Sequence, residues 1–208
     1  PPAGQVTPRV TTAPWDDAAA LAAFAEGVDV VTYEFENVPT AVLDALEALR
    51  PIRPGRRALA VSQDRLAEKA FLAGLGLTVA PHAPVSSPGD LTAALAAIGT
   101  PAILKTTRLG YDGKGQVRIA DPAGAPAAWA AMAGAPAVLE GVVAFEREVS
   151  VIAARGLDGR VAAYDPGENV HEGGILRTTT VPARLSSGQR SDAVLIAARI
   201  LNALDYVG

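Results

Sequence analysis

Ile103-Leu-Lys105-Thr-Thr-Arg-Leu-Gly110-Tyr-Asp-Gly-Lys-Gly-Gln116 is the stretch that decides the reading of this chain. An apolar strand expected over residues 101–106 delivers Lys105 near its end. A turn with three glycines and a second lysine, Lys114, follows. Glycine lets backbone N–H groups approach an anion closely, and the lysines add point charges. That combination suits a polyphosphate. Gly110 and Gly115 have the separation of a P-loop, but Gln116 stands where its lysine belongs and no Ser or Thr follows. There is no GxGxxG either. An ordinary hairpin with a glycine-rich turn is the bland alternative.

Composition narrows what surrounds this stretch. The 208 residues are half hydrophobic and 19% charged, enough to bury a core and too apolar for a disordered chain. A net charge of -4 and a pI near 5.2 give no global field that would gather nucleic acid or an anionic membrane. Aromatic residues, at 5%, leave few platforms for stacking bases. The lack of cysteine excludes a disulfide framework, a thiolate metal site and a cysteine nucleophile. No apolar run has the length of a membrane span, and the opening PPAGQVTPRV does not read as a signal peptide.

Working outward, residues 17–26 are Ala-rich and helical, with Asp16 as expected N-cap and Gly27 closing the helix at positive φ. Residues 28–35, VDVVTYEF, read as a buried strand. Asn37 is expected to cap the next helix, with Pro39 in its first turn and Val42, Leu43, Leu46 and Leu49 on one face. A helix from Ser62 to about Gly74 turns Leu66, Ala70 and Phe71 inward. These units suggest one side of a parallel α/β sheet through residue 76. Strands over 78–85, 101–106, 116–120 and 137–143, with helices over 90–98 and 125–133, make a small α+β module over 77–144. Strands over 149–154, 161–164 and 175–182 and a long helix from Ser187 make a third unit, 145–208.

Three further segments carry candidate chemistry. Leu139-Glu140-Gly141-Val142-Val143 ends a strand, with Glu146 and Glu148 beyond it. A strand edge there can offer N–H and C=O groups to a purine, and a carboxylate can take two ribose hydroxyls. Solvated glutamates are the plain alternative. Tyr164-Asp-Pro-Gly-Glu168-Asn169-Val-His171-Glu172-Gly-Gly places one of two histidines among carboxylates. No second His lies four residues on, so this is no zincin helix. Pro166, Gly173 and Gly174 argue for a turn, with His171 a hydrogen-bonding residue in a polar loop. His82, between prolines, reads as structural. Tyr33-Glu34-Phe-Glu36-Asn37 lies at the C-terminal end of an expected strand, where open α/β sheets bind ligands. Its glutamates can equally serve the N-terminus of the following helix.

Taken in order, YEFENVP (33–39), Gln63-Asp-Arg65 with Glu68-Lys69, Lys105, GYDGKGQ (110–116), EGVV (140–143), Glu148, Ser150 with Ala154-Arg155, and ENVHEGGIL (168–176) resemble one family of ATP-grasp ligases. These are the 5-(carboxyamino)imidazole ribonucleotide synthases, and the resemblance covers nearly the whole chain. It implies an ATP-grasp fold, α/β and α+β, with part of an N-terminal parallel α/β domain, a small central lid domain and the start of a C-terminal domain. It implies ATP-dependent carboxylation of 5-aminoimidazole ribonucleotide by bicarbonate through carboxyphosphate, with Mg²⁺.

Residue by residue, the implied ATP site is Arg65, Lys105, Gly110, Tyr111, Asp112, Gly113, Lys114, Gly115, Gln116, Glu140, Gly141, Val142, Val143, Glu148 and His171. Glu34, Tyr111 and Arg155 fall on the ribonucleotide side. The resemblance also implies a cytoplasmic homodimer with small-molecule partners and neither nucleic acid nor membrane. Both ends are expected to be cut. A glycine-rich strand–turn should precede Pro1 and the magnesium ligands should follow Gly208, so the fragment alone is expected to be inactive. Other readings stay open: another ATP-grasp carboxylate–amine ligase, a ribonucleotide transformylase, or a non-catalytic ATP-binding module.

Overall fold

A computed structural model describes residues 2–110 and 114–208, with side chains from residue 4 onward. Tyr111, Asp112 and Gly113 therefore lie outside the described residues.

The N-terminal part is helical. Helix α1 (Ala18–Glu26) is capped by Asp17, whose side chain accepts from the Ala20 amide, rather than by Asp16. Gly27 closes it at φ -86°, not in the left-handed region. Helix α2 (Thr40–Glu47) begins after Pro39, not at Asn37. Proline disfavours helical geometry at Val38 before it, which delays the start. Val42, Leu43 and Leu46 are buried as expected, whereas Leu49 is exposed. The strand expected over 28–35 shrinks to one parallel bridge between Val31 and Ile52. Val31 N–H donates to Pro51 O and Arg53 N–H donates to Val31 O. Pro51 and Pro54 lack N–H groups, so the ladder does not extend along that side.

The single helix expected over 62–74 is two. Helix α3 (Arg56–Ser62), unrecognised in the sequence, is followed by α4 (Arg65–Gly74). Asp64 separates them with extended backbone, and its side chain accepts from the Leu66 and Ala67 amides. Asp strongly prefers an N-cap to a helix interior. Asp64→Ala should cost about 1 kcal/mol of stability, the usual value of such a cap, measured by urea unfolding. Leu66 and Phe71 are half-buried, while Ala70 is exposed.

Strands β1 (His82–Val85), β2 (Ala102–Thr106), β3 (Gln116–Ile119) and β4 (Ala137–Gly141) form an antiparallel sheet in the order β1-β4-β2-β3. Successive strand residues face opposite sides. Val85, Ala102, Leu104, Ile119, Ala137 and Leu139 share one side and pack with Leu91, Ala94 and Leu95 of α5 (Pro88–Ile98) and Ala128 of α6 (Ala125–Ala131). The other side carries Lys105, Gln116, Arg118 and Glu140, with Ile103 and the fully buried Val138 among them. β1 starts only at His82, four residues later than expected for that strand.

Beyond it, the expected strand 149–154 is split into β5 (Glu148–Ser150) and β6 (Ala153–Arg155). β6 pairs with β7 (Val161–Ala163). The segment read as a polar loop is a strand, β8 (Gly167–Glu172), at the centre of a sheet ordered β5-β8-β9 with β9 (Ile175–Thr180). Gly173 and Gly174, both at positive φ, make the turn between β8 and β9. Helix α7 (Ser187–Ala203) opens on a capping box between Ser186 and Gln189, one residue before the Ser187 cap expected. Among the described residues no helix is long and apolar enough to cross a membrane.

Candidate functional site

The polar side of the four-stranded sheet carries the first cluster. Register sets Ile103 opposite Glu140 and Lys105 opposite Val138, so Lys105 and Glu140 emerge on the same side as diagonal neighbours. Lys105 Nζ donates to Glu140 Oε2 at 2.7 Å, and Lys69 Nζ of α4 lies 3.0 Å from Oε1. The three side chains are only 24%, 13% and 12% exposed for Lys105, Lys69 and Glu140. Burial pushes the Glu140 carboxyl up, but hydrogen bonds and charge from Lys105 and Lys69 more than offset this, so it lies below its ordinary value. A depressed carboxylate adds stability above its unfolded-state pKa, and that stability is lost as pH falls through the folded value. The triad should therefore come apart only in acid, below the ordinary carboxylate range.

Lys69 was not among the sequence candidates. Its signal was present, because Arg65 and Lys69 stand at i and i+4 and share one helix face. Burial also pushes the carboxyl of the neighbouring Glu68 up, against the pull of Lys69 and Arg65.

Arg65 grips the stem of the glycine-rich turn. Its Nη1 donates to Thr106 O at 2.8 Å, its Nη2 to Gly110 O at 3.2 Å, and its amide to Thr107 O at 2.9 Å. A Cβ on Gly110 would lie 3.0 Å from Arg65 Nη2 and 3.1 Å from Lys114 O, so the approach depends on glycine. Gly115 has φ +70°, and a Cβ there would lie 2.9 Å from Thr106 Oγ1. Lys114 and Gln116 are exposed, and Gln116 pairs with Lys105 across β2 and β3. Tyr111, Asp112 and Gly113 are outside the described residues.

The segment 140–143 differs from the strand edge expected. β4 lies between β1 and β2, and Gly141 N–H donates to Pro81 O and Val142 N–H to Pro101 O. The sheet thus already uses two of the backbone donors proposed for a base. Val142 and Val143 emerge exposed where β4 ends.

A second cluster sits on β5 and β8, where Glu148 faces Asn169. Glu148 Oε1 accepts from Asn169 Nδ2 at 3.3 Å and lies 3.3 Å from His171 Nδ1. Asn169 Oδ1 in turn accepts from Thr179 Oγ1 at 2.9 Å and Ser150 Oγ at 3.3 Å. The β-bulge between Val170 and His171 re-aims that end of β8. Among the described residues, Asn169 and His171 both meet the Glu148 carboxylate at Oε1.

The ribonucleotide-side candidates separate. Glu34 is exposed and lines a cavity of about 550 Å³ with Phe35, Glu36, Asn37, Leu109 and Gly110. The cavity thus joins the YEFEN segment to the glycine-rich stem. Beside Glu34, the Tyr33 hydroxyl is raised to about 12, chiefly by burial. Arg155 instead holds the segment after α7. Its Nε donates to Asn202 Oδ1 at 2.9 Å, and its Nη1 donates to Tyr206 O at 3.0 Å and lies 3.0 Å from Asp205 Oδ1. His82 is half-buried with Nδ1 3.0 Å from its near neighbour Ala80 O, a local structural contact.

The chain is similar to known proteins along its whole length. Residues 70–208 match the ATP-grasp domain, and residues 1–63 match the ribonucleotide synthetase preATP-grasp domain. The N5-carboxyaminoimidazole ribonucleotide synthase of Brucella melitensis is 52% identical over all of this chain and 58% of its own length. The crystal structure of the synthetase from Thermus thermophilus superposes with a TM-score of 0.90 at 45% identity, over 99% of this chain and 56% of that one. The synthase of Aspergillus clavatus in complex with ADP and 5-aminoimidazole ribonucleotide gives 0.89 at 27% identity, over 100% and 55%. The chain thus spans little more than half the length of these relatives. Matched over residues 70–208, the chain belongs to the ATP-grasp family.

Proposed function

We propose that the protein containing this chain is an ATP-grasp ligase that carboxylates 5-aminoimidazole ribonucleotide with bicarbonate. The observation that carries this is the meeting of Lys69 and Lys105 on Glu140, with Arg65 bound to Thr106 and Gly110 at the stem of the glycine-rich stretch. Two lysines beside a stem held by Arg65 make a phosphate cradle. The relatives, one holding both ADP and the ribonucleotide, suggest the substrates.

In this reading a bicarbonate oxygen attacks the γ-phosphorus and the bond to the β–γ bridging oxygen breaks, releasing ADP. The amine nitrogen then attacks the carboxyl carbon of carboxyphosphate. Phosphate leaves and the nitrogen loses a proton. Lys105 and Lys69 neutralise phosphate charge, while Arg65 holds the turn's stem in place. Residues 110–116, proposed as the closing turn, keep water from the acyl phosphate. With the Gly141 and Val142 N–H groups held in the sheet, the Val143 N–H and the backbone carbonyls of residues 141–143 take the base. Glu148, held at Oε1 by Asn169 and His171, presents Oε2 to the ribose. Glu34 faces the ribonucleotide; Tyr111, given to the substrates by resemblance, lies outside the described residues.

Residues 1–76, 77–144 and 145–208 are proposed as the three structural units. Homodimerisation, a cytoplasmic location and magnesium belong to the same reading and rest on family resemblance. Among the described residues no three His, Cys, Asp or Glu side chains gather to hold a metal ion.

The test follows ADP release by the whole-length protein with Mg²⁺, ATP and bicarbonate, with and without the ribonucleotide. Strong stimulation with a carboxylated product is expected. Intact ATP binding without stimulation would move the substrate to another amine or leave a non-catalytic ATP-binding module. Glu148→Ala should weaken ATP binding roughly 3- to 10-fold, as expected for about 0.5–1.5 kcal/mol of hydrogen bonding. Isothermal titration checks it.

A further inference from the structure

Between α3 and α4 one polar side chain is almost fully buried and belongs to neither cluster above. Gln63 is 4% exposed. Its Nε2 donates to Glu36 O and to Val38 O, both at 2.6 Å, and its Oε1 accepts from Arg108 Nη2 at 2.6 Å. Glu36 belongs to the YEFEN segment, and Arg108 precedes Leu109 and Gly110 in the stem of the glycine-rich turn. Those two segments are the two walls of the 550 Å³ cavity.

We infer that Gln63 is a positioning residue that locks the wall of residues 34–37 to the glycine-turn stem, so that seating a nucleotide on one wall sets the other for the amine substrate. This rests on the proposed ligase reading and adds a coupling element to it.

The chemistry of the contact selects glutamine. Two carbonyls need two donors and one guanidinium needs an acceptor, and a primary amide offers all three on one planar group. An ionised Glu would set a carboxylate against two carbonyls. Lys or Arg could not accept from Arg108. Asn is one methylene shorter. The amide is also held from behind, because Gln63 N–H donates to Leu59 O at the end of α3 while the next residue caps α4. Arg65, two residues on, binds three carbonyls of the same stem. One short connection therefore holds both walls.

The experiment uses the whole-length protein, as wild type, Gln63→Glu and Gln63→Met. In each variant the KM for the ribonucleotide should rise about 10-fold or more, while the KM for ATP moves less than about 3-fold. A residue with only a structural role would lower kcat or stability without that split. Hydrogen exchange supplies a readout that needs no turnover. A non-hydrolysable ATP analogue should slow exchange at residues 34–38 and 107–110 together in the wild type, and at 107–110 alone in the variants, with β2 and β4 unaltered. Equal changes in the two KM values, or an unaltered response of 34–38 in the variants, overturns the inference. If the wild type shows no stimulation by the ribonucleotide, the ligase reading falls and the exchange result alone decides the role of Gln63.

Discussion

Lys105→Ala should weaken ATP binding about 10- to 150-fold, the equivalent of roughly 1.5–3 kcal/mol for a hydrogen bond to a charged group. The size of the loss follows from where the lysine stands. β2 delivers it beside β4, three-quarters covered, with its ammonium paired to the Glu140 carboxylate at 2.7 Å. A covered charge is less screened than a surface one, so the loss should persist in salt better than that of an exposed lysine. The core is untouched, because Leu104 and Leu139 occupy the opposite side. Titration with ATP at low and high salt measures both effects. Unchanged affinity in a folded variant would move the phosphate away from this cluster and sink the site assignment.

The same geometry explains what could be read from the sequence. α5 was read as a helix, but from residue 90, two residues after its true start at Pro88. The glycine turn and β2 announce themselves locally, through glycines at fixed spacing and an apolar run. The lysine cluster does not. Lys69 and Glu140 meet only because α4 comes to the Lys105 side of the sheet, and no window of sequence holds both. Gln63 looked like one more residue in a long helix until Asp64 capped a new one. β8 was missed for a different reason. Its Glu168, Asn169, His171 and Glu172 are polar, so period-two alternation gives no signal. Its strand character comes from having β5 and β9 as ladder partners on both sides. The reverse error occurred at 28–35, where apolar, β-branched residues promised a strand and prolines on the partner segment allowed one bridge. Arg155 was placed by resemblance on the ribonucleotide side, and the structure shows it holding Asn202, Asp205 and Tyr206.

Glu140→Gln should destabilise the ligand-free protein by about 2–4 kcal/mol, toward the cost of removing one partner from a buried ion pair. Two ammonium groups now share one carboxylate, one on each oxygen. Without its charge they repel by roughly 3 kcal/mol, taking about 5–6 Å separation and an effective dielectric near 20. ATP replaces the missing negative charge. Its binding should therefore raise the Tm of the variant more than that of the wild type, since a ligand favouring the folded state stabilises in proportion to its affinity. The acid limb of stability should shrink as well, because the depressed Glu140 carboxyl that produced it is gone. Thermal unfolding with and without ATP, at neutral and acid pH, reads all three effects. A variant with unchanged Tm would mean that the carboxylate contributes nothing to holding the lysines. A lower Tm that ATP fails to restore would mean that phosphate does not take its place. The backbone of residues 140–143 can still meet the base in either case, so the outcome separates the side chain's part in poising the two lysines from the main chain's part in recognition.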